Sequence, residues 1–134
     1  MKMPEDIVSQ IRTLLLLEPG IKLALLYGSC ATGKMRPDSD VDIAVLFDRP
    51  LDAGRRMDLV ARLGQNLARP VDLADLSSLN GTILRQILCE GRVLIKNDPA
   101  AWAALIKRMI YHQADLLPLL QRMLQERQKR FAYG

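Results

Sequence analysis

Hydrophobic and polar residues alternate most regularly between Asp40 and Phe47. One face of the extended chain is apolar and the other carries two aspartates: Val41, Ile43, Val45 and Phe47 against Asp40, Asp42, Ala44 and Leu46. Because successive side chains of a strand point to opposite faces, this period of two predicts a β-strand with its apolar face buried. Burial of the apolar face fixes the register of this strand, so both aspartates are expected on the same, exposed side.

Other segments predict three more strands and several helices. The strands are expected at Ile21–Tyr27, Val71–Leu76 and Arg92–Lys96, the last at a sheet edge. Helical spacing of apolar residues predicts helices at about 4–17, 51–68, 83–90 and from 98 to about 132. In the second helix, Met57, Val60, Leu63 and Leu67 are expected to face inward. Gly91 should close the third helix, and Pro118 should interrupt the last. The element order predicts an α/β (α+β) domain with a small mixed sheet of about four strands flanked by helices.

Composition limits the chemistry that such a domain can carry. The 134 residues fit one domain, and the net charge of +4 is mild. With a single histidine, His112, any metal is expected to be held by carboxylates, which favours Mg²⁺. Cys30 and Cys89 are too far apart in sequence to suggest a disulfide framework, and Cys89 is expected in the core. With no signal peptide and no apolar run near the ~20 residues of a membrane span, a cytoplasmic protein is expected.

The Asp40-x-Asp42 pair is the first candidate for chemistry. On a strand the two Cα atoms lie about 7 Å apart, on one face. Two like charges this close are costly unless a cation sits between them. Taken alone, the pair is equally compatible with metal ligands and with two solvated surface acids.

The loop before this strand contains groups that suit a phosphate. Gly28 and Ser29 end the preceding strand, where free backbone N–H groups and the Ser29 hydroxyl can donate to phosphate oxygens. Lys34 and Arg36 in the same loop can neutralise a polyphosphate. A tight turn that needs glycine only for its geometry is the alternative interpretation.

The same loop partly satisfies the P-loop pattern, which must be weighed against this interpretation. Gly28-x-x-x-x-Gly33-Lys34 has the required spacing. Met35, however, stands where that pattern needs a serine or threonine for Mg²⁺. Pro37 and the strand that starts at Asp40 leave no room for the helix that must follow. The P-loop interpretation is therefore rejected.

Together these residues resemble a known signature. Gly28-Ser29, ten residues, then Asp40-x-Asp42 is similar to the GSX₁₀DXD motif of the minimal nucleotidyltransferases, in the superfamily of DNA polymerase β and the aminoglycoside nucleotidyltransferases. The similarity runs from about Ile21 to Lys96 and implies a polymerase β-like nucleotidyltransferase fold. Thr32 departs from the pattern, since many members carry arginine there. For nucleotide binding the resemblance implies Gly28, Ser29, Gly33, Lys34, Arg36 and Ser39.

The family's third carboxylate lies on the neighbouring strand, where Asp72 and Asp75 are the candidates. Strand parity sends them to opposite faces, and Val71 and Leu73 suit the core side. Asp72 also matches the family position and is preferred, whereas Asp75 is expected to end the strand. The resemblance then implies that Asp40, Asp42 and Asp72 are the catalytic residues and the ligands of two Mg²⁺ ions.

The resemblance also implies a function and a partner. Standalone members of this size are similar to MntA-type antitoxins, which are paired with a HEPN-domain ribonuclease toxin in a type VII-like toxin–antitoxin system. The implied activity is transfer of AMP from ATP to a tyrosine hydroxyl of that toxin, within a homo- or hetero-oligomer. An antitoxin or subunit that blocks its partner by contact alone is one alternative. Transfer to a small molecule or to RNA is another.

We therefore expect two parts within one domain. Residues 1–97 should form the nucleotidyltransferase core, and residues 98–134 a C-terminal helical extension of it. The apolar positions of the extension continue past Pro118, beyond the reach of so small a sheet, and are flanked by basic residues: Arg122, Arg127, Lys129 and Arg130. The extension is therefore expected to dock the partner protein.

Overall fold

The structure, a computed structural model, describes residues 5–28, 40–112 and 121–125. Helices and strands follow one another as α1 (Glu5–Leu16), β1 (Ile21–Tyr27), β2 (Val41–Phe47), α2 (Ala53–Leu67), β3 (Val71–Asp75), α3 (Gly81–Glu90), β4 (Arg92–Lys96) and α4 (Pro99–His112). A short 3₁₀ turn, Leu76–Ser78, follows β3, and residues 121–125 are helical. This order is the one that the hydrophobic pattern predicts.

The four described strands form one mixed sheet in the order β3-β2-β1-β4. Strand β1 is antiparallel to both β2 and β4, whereas β2 and β3 are parallel and are joined by α2. A parallel pair needs such a crossover, because a short turn can join only antiparallel neighbours. The predicted fold class, a small mixed sheet flanked by helices, is confirmed, and β4 lies at an edge as expected.

Helices cover the sheet on both faces. The apolar face of β2 packs in one core cluster with residues of α1 and α2, among them Ile11, Leu15, Leu59 and Leu63. The opposite face packs in a second cluster with residues of α3 and α4, among them Leu84, Ile87 and Leu105. The expectation that the second face of β2 would be exposed is therefore wrong along most of its length, since Ala44 is fully buried there.

Specific contacts locate the two helices on the second face of the sheet. Helix α4 begins beside β1, where Asp98 pairs with Lys22 at 3.5 Å. It reaches the turn after β3, where the Arg108 guanidinium donates to the carbonyls of Leu76, Ser77 and Leu79. Helix α3 ends under β1, with Gly91 against the Leu26 carbonyl. Asp42 and Asp72 of the candidate site lie near the starts of β2 and β3, at a corner of the sheet.

Two predictions about buried side chains are wrong. Met57 was expected to face inward on α2 but is 72% exposed, whereas Leu59 is buried at 1%. The buried stripe of α2 is Leu59, Leu63 and Leu67, because the helix is rotated on the sheet from the orientation that its periodicity suggested. Cys89, expected in the core, is exposed on α3.

The first half of the last helical segment belongs to the core. Asp98 accepts the Ala101 N–H at 3.1 Å and so caps α4, as the Asp98-Pro99 pair indicates. Leu105 of α4 is buried in the second cluster. The division at residues 97 and 98 stays a prediction, and the expected break at Pro118 lies outside the described residues. Within the described ranges, no helix is long and apolar enough to span a membrane.

Candidate active site

Two of the predicted aspartates lie side by side at the corner of the sheet where β2 and β3 begin. In the parallel pairing of β2 with β3, Asp42 lies opposite Asp72. Residues that are opposite in register share a face of the pleated sheet, with neighbouring strands about 4.8 Å apart. Both carboxylates therefore project from the same face, where Asp42 is half-buried and Asp72 exposed.

Asp40 lies immediately before β2 rather than inside it and is exposed. Its charge nevertheless reaches Asp42. Partial burial, then the charge of Asp72, then that of Asp40, raises the pKa of Asp42 above its ordinary value. All three causes oppose ionisation of Asp42, so the fold brings three carboxylates into one electrostatic cluster.

Gly28 makes room for the Asp42 carboxylate. The backbone of Gly28 has a φ of +68°, a conformation that side chains disfavour. A Cβ built at this position would lie 2.5 Å from Oδ2 of Asp42. The sequence indicated Gly28 as a place where phosphate could approach the backbone. The structure adds that this glycine is needed for Asp42 itself.

Asp75 serves a different purpose from Asp72, as strand parity predicts. It lies opposite Val45, is 5% exposed and so faces away from the aspartate cluster. Its carboxylate accepts from the Leu51 N–H at 2.9 Å, and from the Ser77 N–H and hydroxyl at 2.9 and 2.7 Å. These bonds cap the 3₁₀ turn and tie the end of β3 to the loop before α2.

The remaining nucleotide-binding candidates lie outside the described residues. These are Ser29, Gly33, Lys34, Arg36 and Ser39. One side chain at the corner was not predicted. Tyr27 lies opposite Asp42 across β1 and β2, on the same face, and packs against the second core cluster. Only the register between the two strands brings Tyr27 beside Asp42.

The donor set suits magnesium. Among the described residues, no group of three His, Cys, Asp or Glu side chains is arranged to hold a metal ion by itself. Mg²⁺, however, is usually held by one or two carboxylates together with substrate phosphates and water, rather than by a complete protein cage. Paired carboxylates beside a glycine that opens the backbone fit a site of that kind.

The family assignment follows from a sequence match that includes this corner of the sheet. Residues 9–100 match the family described as Polymerase beta, Nucleotidyltransferase. The matched range includes all four strands and the three aspartates. The chain belongs to this nucleotidyltransferase family. The predicted resemblance is thereby confirmed.

Comparison with individual proteins gives the degree of similarity. The nucleotidyltransferase is 37% identical over 76 residues to the protein adenylyltransferase MntA of Shewanella oneidensis, a match that covers 57% of this chain and 55% of MntA. The match thus spans about half of that relative. A crystal structure of a toxin–antitoxin with AMP-PNP is 28% identical, with a TM-score of 0.68 and coverage of 93% and 95% of the two chains.

Another similar structure contains a tri-AMPylated Shewanella oneidensis HEPN toxin in complex with its MNT antitoxin. It is 27% identical to the nucleotidyltransferase, with a TM-score of 0.65 and 97% of each chain covered. Coverage of this extent means that the structural similarity reaches beyond the candidate site to nearly the whole chain.

Proposed function

We propose that this nucleotidyltransferase is a protein adenylyltransferase that transfers AMP from ATP to a tyrosine hydroxyl of a HEPN ribonuclease toxin, and so acts as its antitoxin. The observation that carries the proposal is the register of Asp42 with Asp72 beside Gly28, at the corner of the sheet where β2 and β3 begin. The names of the similar proteins, an adenylyltransferase and antitoxins of HEPN toxins, support the choice of reaction and partner.

Each aspartate has a proposed role. Asp40 and Asp42 would hold Mg²⁺ together with the triphosphate. Asp72 would complete the metal site on the side from which the acceptor hydroxyl approaches. When bound, the metal would neutralise the triphosphate and lower the pKa of the acceptor hydroxyl. Asp72 is exposed and can be reached by a hydroxyl that approaches from solvent, which suits a group that orients the hydroxyl and accepts its proton.

The proposed reaction needs no further chemical group. The acceptor oxygen attacks the α-phosphorus in line, the bond from that phosphorus to the bridging oxygen breaks, and pyrophosphate leaves. The hydroxyl proton passes to Asp72. Phosphoryl and nucleotidyl transfers of this kind depend on positioning and charge neutralisation, so a cysteine or histidine nucleophile is unnecessary. Ser29, Lys34 and Arg36 of the preceding loop would hold the phosphates.

The C-terminal extension is the proposed docking element. Met123 and Leu124 are exposed beside Arg122, also exposed, so the segment combines apolar side chains with positive charge. A chain truncated after Leu117 should therefore keep its fold, because the core contacts of α4 at Leu105 and Arg108 remain. It should lose the toxin in a pull-down. A truncated chain that folds by circular dichroism and still captures the toxin would contradict this assignment.

The transfer experiment uses the purified chain, a HEPN toxin and ATP labelled at the α-phosphate. Label should appear on a toxin tyrosine only with Mg²⁺ present, and toxin ribonuclease activity should fall in parallel. Asp42→Asn, with its fold checked by circular dichroism, is the matched control. Inhibition of the ribonuclease without label would instead favour an antitoxin that acts by contact. Label on RNA or a small molecule would favour a different acceptor.

A further inference from the structure

Asp72 lies on an edge strand of the sheet. Among the strands that the structure describes, β3 pairs with β2 alone, so one side of its backbone has no described neighbouring strand. Edge strands expose N–H and C=O groups and are held by fewer contacts than central strands. A catalytic carboxylate, however, has to stay within about 0.5 Å of its productive position. Asp72 therefore needs support from outside the sheet.

Helix α2 supplies that support through Arg56. The Arg56 guanidinium donates from its Nη1 to the backbone carbonyl of Leu73, the residue directly after Asp72, at 2.5 Å. Arg56 is half-buried and Leu73 is buried in the first core cluster, so water competes weakly for this bond. A hydrogen bond from a charged donor in such a place is among the stronger ones in proteins.

Helix α2 is itself held in place around Arg56. Asp52 caps the helix by accepting the Arg55 N–H at 2.7 Å. The Arg55 side chain donates to the Pro19 carbonyl at 2.7 Å and lies 4.2 Å from the centre of the Phe47 ring. Phe47 ends β2, the strand that carries Asp42. The start of α2 is thus anchored to β2 while Arg56 reaches across to β3.

We propose that Arg56 is a positioning residue that fixes Asp72 relative to Asp42. It acts through the Leu73 carbonyl and does not touch substrate. The inference rests on the proposed function, because it takes Asp72 as the carboxylate that receives the acceptor proton. Arg56 is suited to the task because its planar guanidinium directs its N–H groups rigidly.

The test compares Arg56→Met and Arg56→Lys with Arg85→Met, which removes an equal charge from an exposed position on α3. Arg56→Met should lower kcat for AMP transfer about tenfold, since misplacement of a reacting group by under 1 Å has effects of this size. The KM for ATP should change less than about twofold, because Arg56 contacts no nucleotide group. Arg56→Lys should restore part of kcat, and Arg85→Met should match the wild type.

Two further readouts do not depend on transfer. Mn²⁺ binding followed by electron paramagnetic resonance should weaken in Arg56→Met, and amide exchange should speed up in residues 71–75 but not in β1. Wild-type values of kcat and Mn²⁺ affinity in Arg56→Met would overturn the proposal. So would a loss of kcat that equals the fraction of unfolded protein. If the wild type transfers no AMP, the proposed function fails, while Mn²⁺ binding and β3 exchange still decide the role of Arg56.

Discussion

Carboxylates at the two ends of the sheet have opposite kinds of environment. At the end where β2 and β3 start, burial and the charges of Asp72 and Asp40 raise the pKa of Asp42. At the other end, Asp75 is buried with three hydrogen-bond donors on its oxygens. Glu18, only 8% exposed, lies there too, 2.6 Å from Arg62.

This difference separates the structural carboxylates from those of the proposed site. A buried acid that serves stability is surrounded by hydrogen-bond donors or cations that satisfy its oxygens, as at Asp75 and Glu18. The influences on Asp42 favour the protonated form, which costs stability at neutral pH. Groups perturbed in this direction by burial and like charges are typical of functional sites.

Substitution at the Asp42 end should have the largest effect, and it should fall on activity. Asp42→Asn or Asp72→Ala should lower AMP transfer at least about a hundredfold, because each removes a charge that positions the reacting groups. Both variants should keep a native circular dichroism spectrum. Labelled transfer beside that spectrum makes the test, and an unfolded Asp42→Asn variant would show that the pair is structural.

Substitution at the Asp75 end should act on stability instead. Asp75→Ala leaves the Leu51 and Ser77 N–H groups without their acceptor, which should cost about 1–3 kcal/mol of unfolding free energy. Urea denaturation measures this loss, with Asp72→Ala as the matched control, expected within about 0.5 kcal/mol of the wild type. Transfer per folded molecule should survive in Asp75→Ala. A stable but inactive Asp75→Ala variant would exchange the roles assigned to the two residues.

The smallest expected effect is on the pH dependence of stability, to which Asp42 and Asp98 should contribute with opposite signs. The pKa of Asp42 is raised, so its ionisation destabilises the fold as pH rises from the ordinary value of 3.8 through the folded value. The hydrogen bond that Asp98 accepts from the Ala101 N–H lowers the pKa of Asp98, and the nearby Lys22 charge acts in the same direction. Asp98 therefore stabilises the fold above its unfolded pKa and loses that contribution in acid.

Thermal melts in EDTA between neutral and acid pH test this contrast. At pH 7 the melting temperature of Asp42→Asn should lie above that of the wild type, and that of Asp98→Ala below it. Both gaps should close as the pH falls and the wild-type carboxylates become protonated. Gaps of the same sign, or gaps that persist in acid, would contradict the assigned environments.

Several elements could be predicted because their signals are local. The bounds of β1 and β4 match the prediction at every residue, and β2 begins only one residue later than expected, at Val41. The period of two in β2 and β3 also predicts that Asp72 and Asp75 face opposite ways, which the register shows. Strand parity is a property of the backbone and does not depend on what packs around it.

Contacts between distant elements could not be predicted in this way. Gly91 closes α3 as predicted, but the reason for a glycine there is not local, since its φ of −71° is open to any residue. Glycine is needed there because a Cβ would collide with the Ile87 carbonyl and lie 3.0 Å from that of Leu26. The rotation of α2, which buries Leu59 and exposes Met57, likewise depends on the sheet beneath the helix.

By itself, the sequence determined the strands, the mixed α/β class, the signature of the family and the parity that puts Asp42 and Asp72 on exposed or half-exposed positions. The tertiary structure decided which of these carboxylates meet, how Gly28 admits Asp42, and that Arg56 holds the strand of Asp72. The reason is physical. Periodicity and turn chemistry act over a few residues of one chain segment, whereas strand register, helix rotation and side-chain contacts emerge only when segments far apart in sequence pack together.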